Sequence, residues 1–275
     1  MRYAFAKYEG LGNDFLVVEQ ARFPRVTAAL AQRLCDRHFG VGADGVLLTG
    51  LRDGRPFMEV VNADGSTPEM CGNGLRCVAL YLVERELVRE LAFEVSTDAG
   101  PHTVRVTRDR EGATVEVQMR AASLRAADVL REGEGSFIDQ PFTVDGRSFH
   151  VTTVSMGNPH AVLFDDVGGD MAQLGPRIEK DARFAAGANV GFARFRDREN
   201  LDLTVWERGV GFTLACGTGA CAAAVAAVET GRAARGEPLH VHLPGGPLRI
   251  LVGEHGEPIS MTGPARAVFE GSLEL

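Results

Sequence analysis

Lysine is nearly missing from this chain: of 29 basic side chains only Lys7 and Lys180 are lysine. Lys180 sits in the polar stretch "RIEKDAR" and only Lys7 lies near a motif. A pyridoxal phosphate Schiff base, the usual way to acidify an amino-acid α-carbon, therefore has little to anchor it. No run of Lys and Arg occurs either, and the formal net charge is -8. That argues against a nucleic-acid backbone or an anionic membrane surface and leaves a small molecule as the expected partner. Long apolar runs are also lacking: nothing approaches the ~18 residues of a membrane span, and "MRYAFAKYEG" has neither an apolar core nor a small-residue cleavage site. The expected location is the cytoplasm. Thiols stay reduced there, and an odd count of five cysteines points to free thiols rather than a disulfide framework. At 275 residues, 45% hydrophobic and 24% charged, the chain is globular, with one large or two medium domains.

What is present is a repeat. Asn13 in "GLGNDF" and Asn158 in "SMGNPH", Asn62 in "NADGS" and Glu207 in "WERGVGFT", and Cys71 and Cys216 are pairs that each stand 145 residues apart. One offset shared by separate features predicts two superposable halves. In the first, "RYAFAKY" and "FLVVE" read as strands, Thr27 caps a helix over "AALAQRLCDRHF", and "PFMEVVNADG" is a strand entering a turn. A helix follows Cys71, and "LAFEVSTDAGPHTVRVTRDREGATVEVQM" alternates around Asp-Ala-Gly and Glu-Gly turns as antiparallel hairpins do. The second half repeats the order, with strands in "SFHVTTVSM", "HAVLFDD", "NVGFARF", "LDLTVWE", "LHVHL" and "LRILVG", a helix near Met171 to Lys180, and one after Cys216. The expected class is α+β in two pseudo-symmetric domains. Arg120 to Gly135 is the candidate linker, and the tail Ala265 to Leu275 falls on its start after the 145-residue shift. This gives domains of 1–119 plus 265–275 and 120–264, interlocked by exchanged strands.

The repeated element is a cysteine ahead of Gly-X-Gly and an apolar helical run. A helix start leaves backbone N–H groups unpaired and carries partial positive charge, so it stabilises an anion such as a thiolate. Gly72 and Gly74, like Gly217 and Gly219, keep the first turn bare enough for a carboxylate to reach the amides. Two such ends facing one carbon allow one thiolate to remove a proton while the opposite thiol returns one, which inverts a stereocentre. A single Cys-Gly-X-Gly is more often a buried cysteine at a helix start, and it is the duplication that favours chemistry. Cys77 and Cys221 fall in the apolar runs as core residues, and Cys35 carries no assigned role. Spacings of six and five residues within Cys71/Cys77 and Cys216/Cys221 are not the short Cys-X-X-Cys pairs of structural zinc sites, so no metal is expected.

Along nearly its whole length, in "GLGNDF", "GVGADG", "NADGS…MCGNGLRC", "MGNPH" and "WERGVGFTLACGTG", the sequence resembles the diaminopimelate epimerases, cofactor-independent isomerases of lysine and peptidoglycan-precursor synthesis. The resemblance implies two domains, each a barrel-like antiparallel or mixed sheet around a central helix, with the active site in the cleft between them. It implies interconversion of LL- and meso-2,6-diaminopimelate, no cofactor, Cys71 and Cys216 as the catalytic acid/base pair, and His160 and Glu207 as modulators of the thiols. Substrate-binding positions carried over are Asn13, Asn62, Gly72, Asn73, Asn158, Asn189, Glu207, Arg208, Gly217 and Thr218. A substrate with two amino-acid ends needs an Arg for its distal carboxylate and amides for orientation. Without the family, the Asn residues read as turn formers and Glu207-Arg208 as a surface pair. A homodimer is the expected assembly.

Two positions depart from the pattern. Many relatives carry Gln where this chain has Gly45, and Glu commonly follows "NADGS" where this chain has Thr67-Pro68. The competing readings are a proline or hydroxyproline-type racemase, which uses the same two-cysteine logic, and a redox-responsive binding module built on Cys71 and Cys216. A phenazine-pathway isomerase shares the fold but does not keep two opposed cysteines.

Overall fold

Uninterrupted burial marks the central strands and alternation marks the outer ones. The computed structural model describes residues 2–23, 25–68, 70–110 and 112–274. Glu111 of the expected Glu-Gly turn and Leu275 of the tail lie outside them. The chain divides into two units, Met1–Gln118 with Thr262–Leu275 and Met119–Met261.

In the first unit the strands are β1 (Arg2–Gly10), β2 (Asn13–Glu19), β3 (Gly45–Arg52), β4 (Arg55–Asn62), β5 (Ala92–Thr97), β6 (Gly100–Arg108) and β7 (Ala113–Met119). Helix α1 (Ala28–Cys35) joins β2 to β3, and α2 (Gly72–Glu84) joins β4 to β5. Those two strand pairs are parallel and the neighbouring ones antiparallel. A parallel pair requires a crossover, and each helix supplies one. In the second unit the strands are β8 (Gln140–Val144), β9 (Arg147–Ser155), β10 (Pro159–Leu163), β11 (Asn189–Phe195), β12 (Asn200–Glu207), the two-residue β13 (Gly211–Phe212), β14 (Pro238–Leu243) and β15 (Gly246–Leu251). Here α3 (Met171–Glu179) and α4 (Gly217–Glu229) make the crossovers between the parallel pairs β10/β11 and β12/β14. The tail strand β16 (Ile259–Glu274) pairs with β1 from Arg2↔Glu274 to Glu9↔Arg266, and this closes β1 to β7 with β16 into an eight-stranded barrel.

The repeat holds without slip. An offset of 145 carries Arg2–Gly10 onto Arg147–Ser155, Arg55–Asn62 onto Asn200–Glu207, and Gly72–Glu84 onto Gly217–Glu229. Helix α2 runs inside its barrel, so every residue from Gly72 to Leu82 is buried, and α4 is likewise buried from Gly217 to Ala227. That is why both read as apolar on all faces rather than as amphipathic. Cys77 and Cys221 lie fully inside. Both helices end in the same double hydrogen bond to the preceding turn: Glu86 and Leu87 donate to Val83 and Leu82, and Gly231 and Arg232 donate to Val228 and Ala227. The residue in the left-handed conformation at that stop is Gly231 (φ 70) in α4 but Glu86 (φ 55) in α2.

The segment expected to be a polar linker is mostly exposed but anchors three apolar side chains on the second unit. Ala126, Val129 and Leu130 join the apolar cluster of the second unit, and Ser123 and Leu130 bridge to Ser155 and Phe184. Helix α1 is shorter than expected, because the Asp36 carboxylate accepts the amides of His38 and Phe39 and bends the chain away. Among the described residues no helix is long and apolar enough to cross a membrane.

Candidate functional site

The crossovers bring the motif residues to one end of each sheet. In the first unit, register pairs Phe15 with Gly45 and Gly45 with Asn62, so Asn13, Gly45 and Asn62 share the edge from which the chain enters α2. Cys71 caps that helix, and its Sγ accepts the Gly74 amide at 3.3 Å. The Asn73 amide donates to Asn13 Oδ1 (3.1 Å), while Asn73 Oδ1 accepts from the buried Arg76 (2.9 Å), whose Nε reaches the Pro264 carbonyl (3.1 Å). Asn13 in turn donates to Asp44 Oδ2 (2.8 Å). Asn62 is held by its own turn, through Ser66 Oγ at 3.0 Å. Cys71 lines a hollow with Met58 and Val60 of β4 and with Pro68 and Met70 of the preceding loop.

Behind Asn13 lies a charge cluster that sequence reasoning did not find. Arg37 binds Asp14 and Asp44, each at 2.7 Å, and the buried Lys7 ammonium is engaged by Asp14 and the Gly42 carbonyl. Burial alone would raise the Asp14 carboxyl, but Arg37 and Lys7 hold it down at about 2. The repeat contains one signal for this cluster, since Asp44 is the 145-residue counterpart of Asn189. Lys180 is exposed.

The second unit repeats the plan with different side chains. Cys216 caps α4 and accepts the Gly219 amide at 3.3 Å. Thr218 Oγ1 lies 3.7 Å from the sulfur and accepts from Asn158 (3.3 Å), whose Oδ1 meets His160 Nε2 at 3.0 Å. His160 and Asn189 are register partners at the start of β10 and β11. Asn189 donates to the Pro159 carbonyl and accepts the Arg208 main-chain N–H, each at 3.0 Å. Glu207, at the end of β12, accepts from Thr213 Oγ1 (2.6 Å) and interacts with the nearby Cys216 thiol. The exposed Arg208 side chain donates to the Ala186 carbonyl (3.1 Å).

The electrostatics correct one expectation. A helix start was expected to lower both thiols, yet burial, reinforced by Glu207, pushes Cys216 well up, and the Thr218 hydroxyl and Gly219 amide offset only part of this. Cys216 is 7% exposed, and in so dry a site desolvation outweighs a half-charge dipole. Burial also raises Glu207. His160 is driven down to about 3 by burial and then by Arg208, so it is neutral and acts as a hydrogen-bonding group. Chemically, each unit offers a sulfur at the start of a buried helix, and the second adds a carboxylic group and a guanidinium.

Among the described residues no group of three or more His, Cys, Asp or Glu side chains is arranged to hold a metal. The family model described as diaminopimelate epimerase matches residues 5–124 and 152–268. A diaminopimelate epimerase of Desulforudis audaxviator is 46% identical over 97% of this chain and 98% of its own. Diaminopimelate epimerase 1 of Nostoc sp. is 44% identical over 99% of this chain and all of its own. A solved Bacillus anthracis phenazine biosynthesis protein of the PhzF family superposes over the full length of both chains with a TM-score of 0.72 at 14% identity, a likeness of fold alone.

Proposed function

The chain belongs to the diaminopimelate epimerase family, and on that premise we propose that it is an isomerase of lysine biosynthesis interconverting LL- and meso-2,6-diaminopimelate, with Cys71 and Cys216 as its two proton-transfer groups. The observation that carries the reading is the twin cap: in each unit a cysteine sulfur accepts the amide three residues on, at 3.3 Å, ahead of a buried helix. One sulfur, as thiolate, takes the α-proton, and the C–H electron pair passes into the carboxylate. The opposite thiol then delivers its proton to the other face. The charge that develops on the carboxylate is met by the amides of Gly72-Asn73 and Gly217-Thr218, fixed before the reaction starts, so the step calls for no cofactor. Burial, reinforced by Glu207, keeps Cys216 in its thiol form before substrate binds.

Arg208 is assigned to the distal carboxylate, which its planar fork matches. Asn13, Asn62, Asn158 and Asn189 orient the polar ends of the substrate, with Asn13 braced through Asp44 and Asn158 through His160. The proposed assembly is a homodimer, for which the exposed Val268 and Phe269 of β16 supply apolar surface. Free thiols at the site suit the reducing cytoplasm. Incubation with LL-diaminopimelate in deuterium oxide tests the reading: α-deuteration with appearance of the meso form supports it. Exchange only with proline, or binding without exchange, overturns it.

A further inference from the structure

The turn that carries Glu207 and Arg208 is held from below by a buried carboxylate to which neither sequence nor mechanism has given a role. Glu179, the last residue of α3, is 7% exposed. Its Oε2 accepts the Trp206 indole N–H at 2.7 Å and its Oε1 accepts the Gly209 amide at 2.9 Å. One carboxylate thus grips the residue before Glu207 and the residue after Arg208. The Glu179 carbonyl also receives the Ala188 amide (3.2 Å), which precedes Asn189, and Asn189 Oδ1 holds the Arg208 amide. Gly175 stands one helical turn earlier on the same face, and a β-carbon there would fall 2.7 Å from the indole ring, so the glycine makes the seat into which Trp206 fits.

The fold does not require this arrangement. Under the 145-residue offset Glu179 corresponds to Leu34, a member of the first unit's apolar cluster, and Trp206 to Val61, which packs against that cluster. There the equivalent turn bears Asn62 and Ala63, with no charged pair to aim. A buried carboxylate with two donors replaces an apolar contact only where the turn carries Glu207 and Arg208. A carboxylate also specifies direction, since it is an acceptor at both oxygens and both of its partners are donors.

We infer that Glu179 is a positioning residue, which fixes the Glu207-Arg208 dipeptide toward the substrate by clamping Trp206 and Gly209. The inference rests on the roles proposed for Glu207 and Arg208. In Glu179→Gln only one oxygen remains to accept, so one of the two donors loses its partner and the turn is released at one end.

Trp206 is the only tryptophan of the chain, so its fluorescence reads this contact directly. In Glu179→Gln the emission of Trp206 is expected to shift, and kcat/KM for diaminopimelate to fall about tenfold to hundredfold while the melting transition stays above the assay temperature. In a Trp206→Phe background, where one donor is already gone, the same change costs less than it does alone. Full-length Glu179→Gln that shifts its emission but keeps kcat/KM within twofold of the parent overturns the inference. If Glu179→Gln does not fold, Trp206→Phe alone decides: a several-fold loss supports the clamp and an unchanged kcat/KM overturns it. Arg208→Ala is assayed alongside. Full activity in that variant removes the role given to Arg208 itself, a failure separate from that of the clamp.

Discussion

A single methyl group placed at Gly219 separates the stability of the helix from the position of its sulfur. A β-carbon at this site falls 3.0 Å from Cys216 Sγ, 3.1 Å from Val205 Cγ2 and 3.3 Å from Cys216 Cβ. Comfortable contact lies at about 3.5–4.0 Å, so the sulfur must retreat by roughly half an ångström and its 3.3 Å bond from the Gly219 amide must stretch. Overpacking of this kind costs about 1–3 kcal/mol. Replacing glycine by alanine in a helix returns about 1 kcal/mol. The net change is about 0–2 kcal/mol, a fall of no more than about 8 °C in Tm for a chain of this size. Catalysis has no such offset, since a proton-transfer group displaced on this scale loses up to about a hundredfold in rate. Gly74→Ala repeats the perturbation in the first unit, with Cys71 Sγ at 3.0 Å and the flexible end of Leu47 at 2.9 Å. The assay is epimerisation followed by chiral chromatography, with a thermal melt of each variant. Both variants are expected to fold and to lose at least tenfold in kcat/KM. Full turnover in a folded Gly219→Ala would refute the claim that the cap sets the sulfur.

Three further outcomes follow from the same geometry. Gly45→Gln, which restores the residue common in relatives, is expected to destabilise by about 1–3 kcal/mol without lowering KM, because its β-carbon would stand 2.9 Å from the Val61 carbonyl; a stable variant with tighter substrate binding in urea melts and steady-state kinetics would contradict this. Glu86→Gly should raise stability by about 1 kcal/mol, since Glu86 adopts at the stop of α2 the left-handed conformation that Gly231 adopts at the stop of α4; an unchanged or lower urea midpoint counts against it. His160 is held near 3 when folded and titrates near 6.5 when unfolded, so its contribution is complete above pH 6.5 and is lost as pH falls toward 3. Between pH 7 and pH 5 this amounts to roughly 2 kcal/mol of lost stability. Denaturant titrations of His160→Gln should lack that loss, and an identical pH slope in both proteins would dismiss it.

The repeat was legible because its markers are local. A cysteine cap, a Gly-X-Gly first turn and an Asn-bearing turn are each written in a few consecutive residues, and pairs 145 apart locate the starts of α2 and α4. One strand that escaped notice carries no local mark. In β3 the apolar run Val46, Leu47 and Leu48 is buried on both faces and shows no alternation. The outer half of β16, the tail that the 145-residue shift assigned to the first half as an exchanged strand, pairs with β1 more than 250 residues upstream. Within the segment read as a linker, Ala126, Val129 and Leu130 join the second unit's core, being too few and too widely spaced for periodicity to register. At the site, Asn73 and Thr218 were visible from the motif, whereas Glu179 carried no local sign: it ends a polar helical stretch, and its bond to the Trp206 indole forms only in the folded chain. The raised Cys216 thiol was equally hidden, because the depth of burial that outweighs the helix start belongs to the assembled fold.

The central claim is that two sulfurs share one proton transfer, and it is tested most directly by removing them one at a time. Cys71→Ala and Cys216→Ala are assayed for conversion of LL- to meso-diaminopimelate by chiral chromatography, with circular dichroism as the check on folding and Cys77→Ala as a buried control. The account predicts that each of the two loses nearly all epimerisation while remaining folded, and that Cys77→Ala turns over apart from a modest loss of stability. Near-normal turnover in either folded Cys71→Ala or folded Cys216→Ala would contradict it.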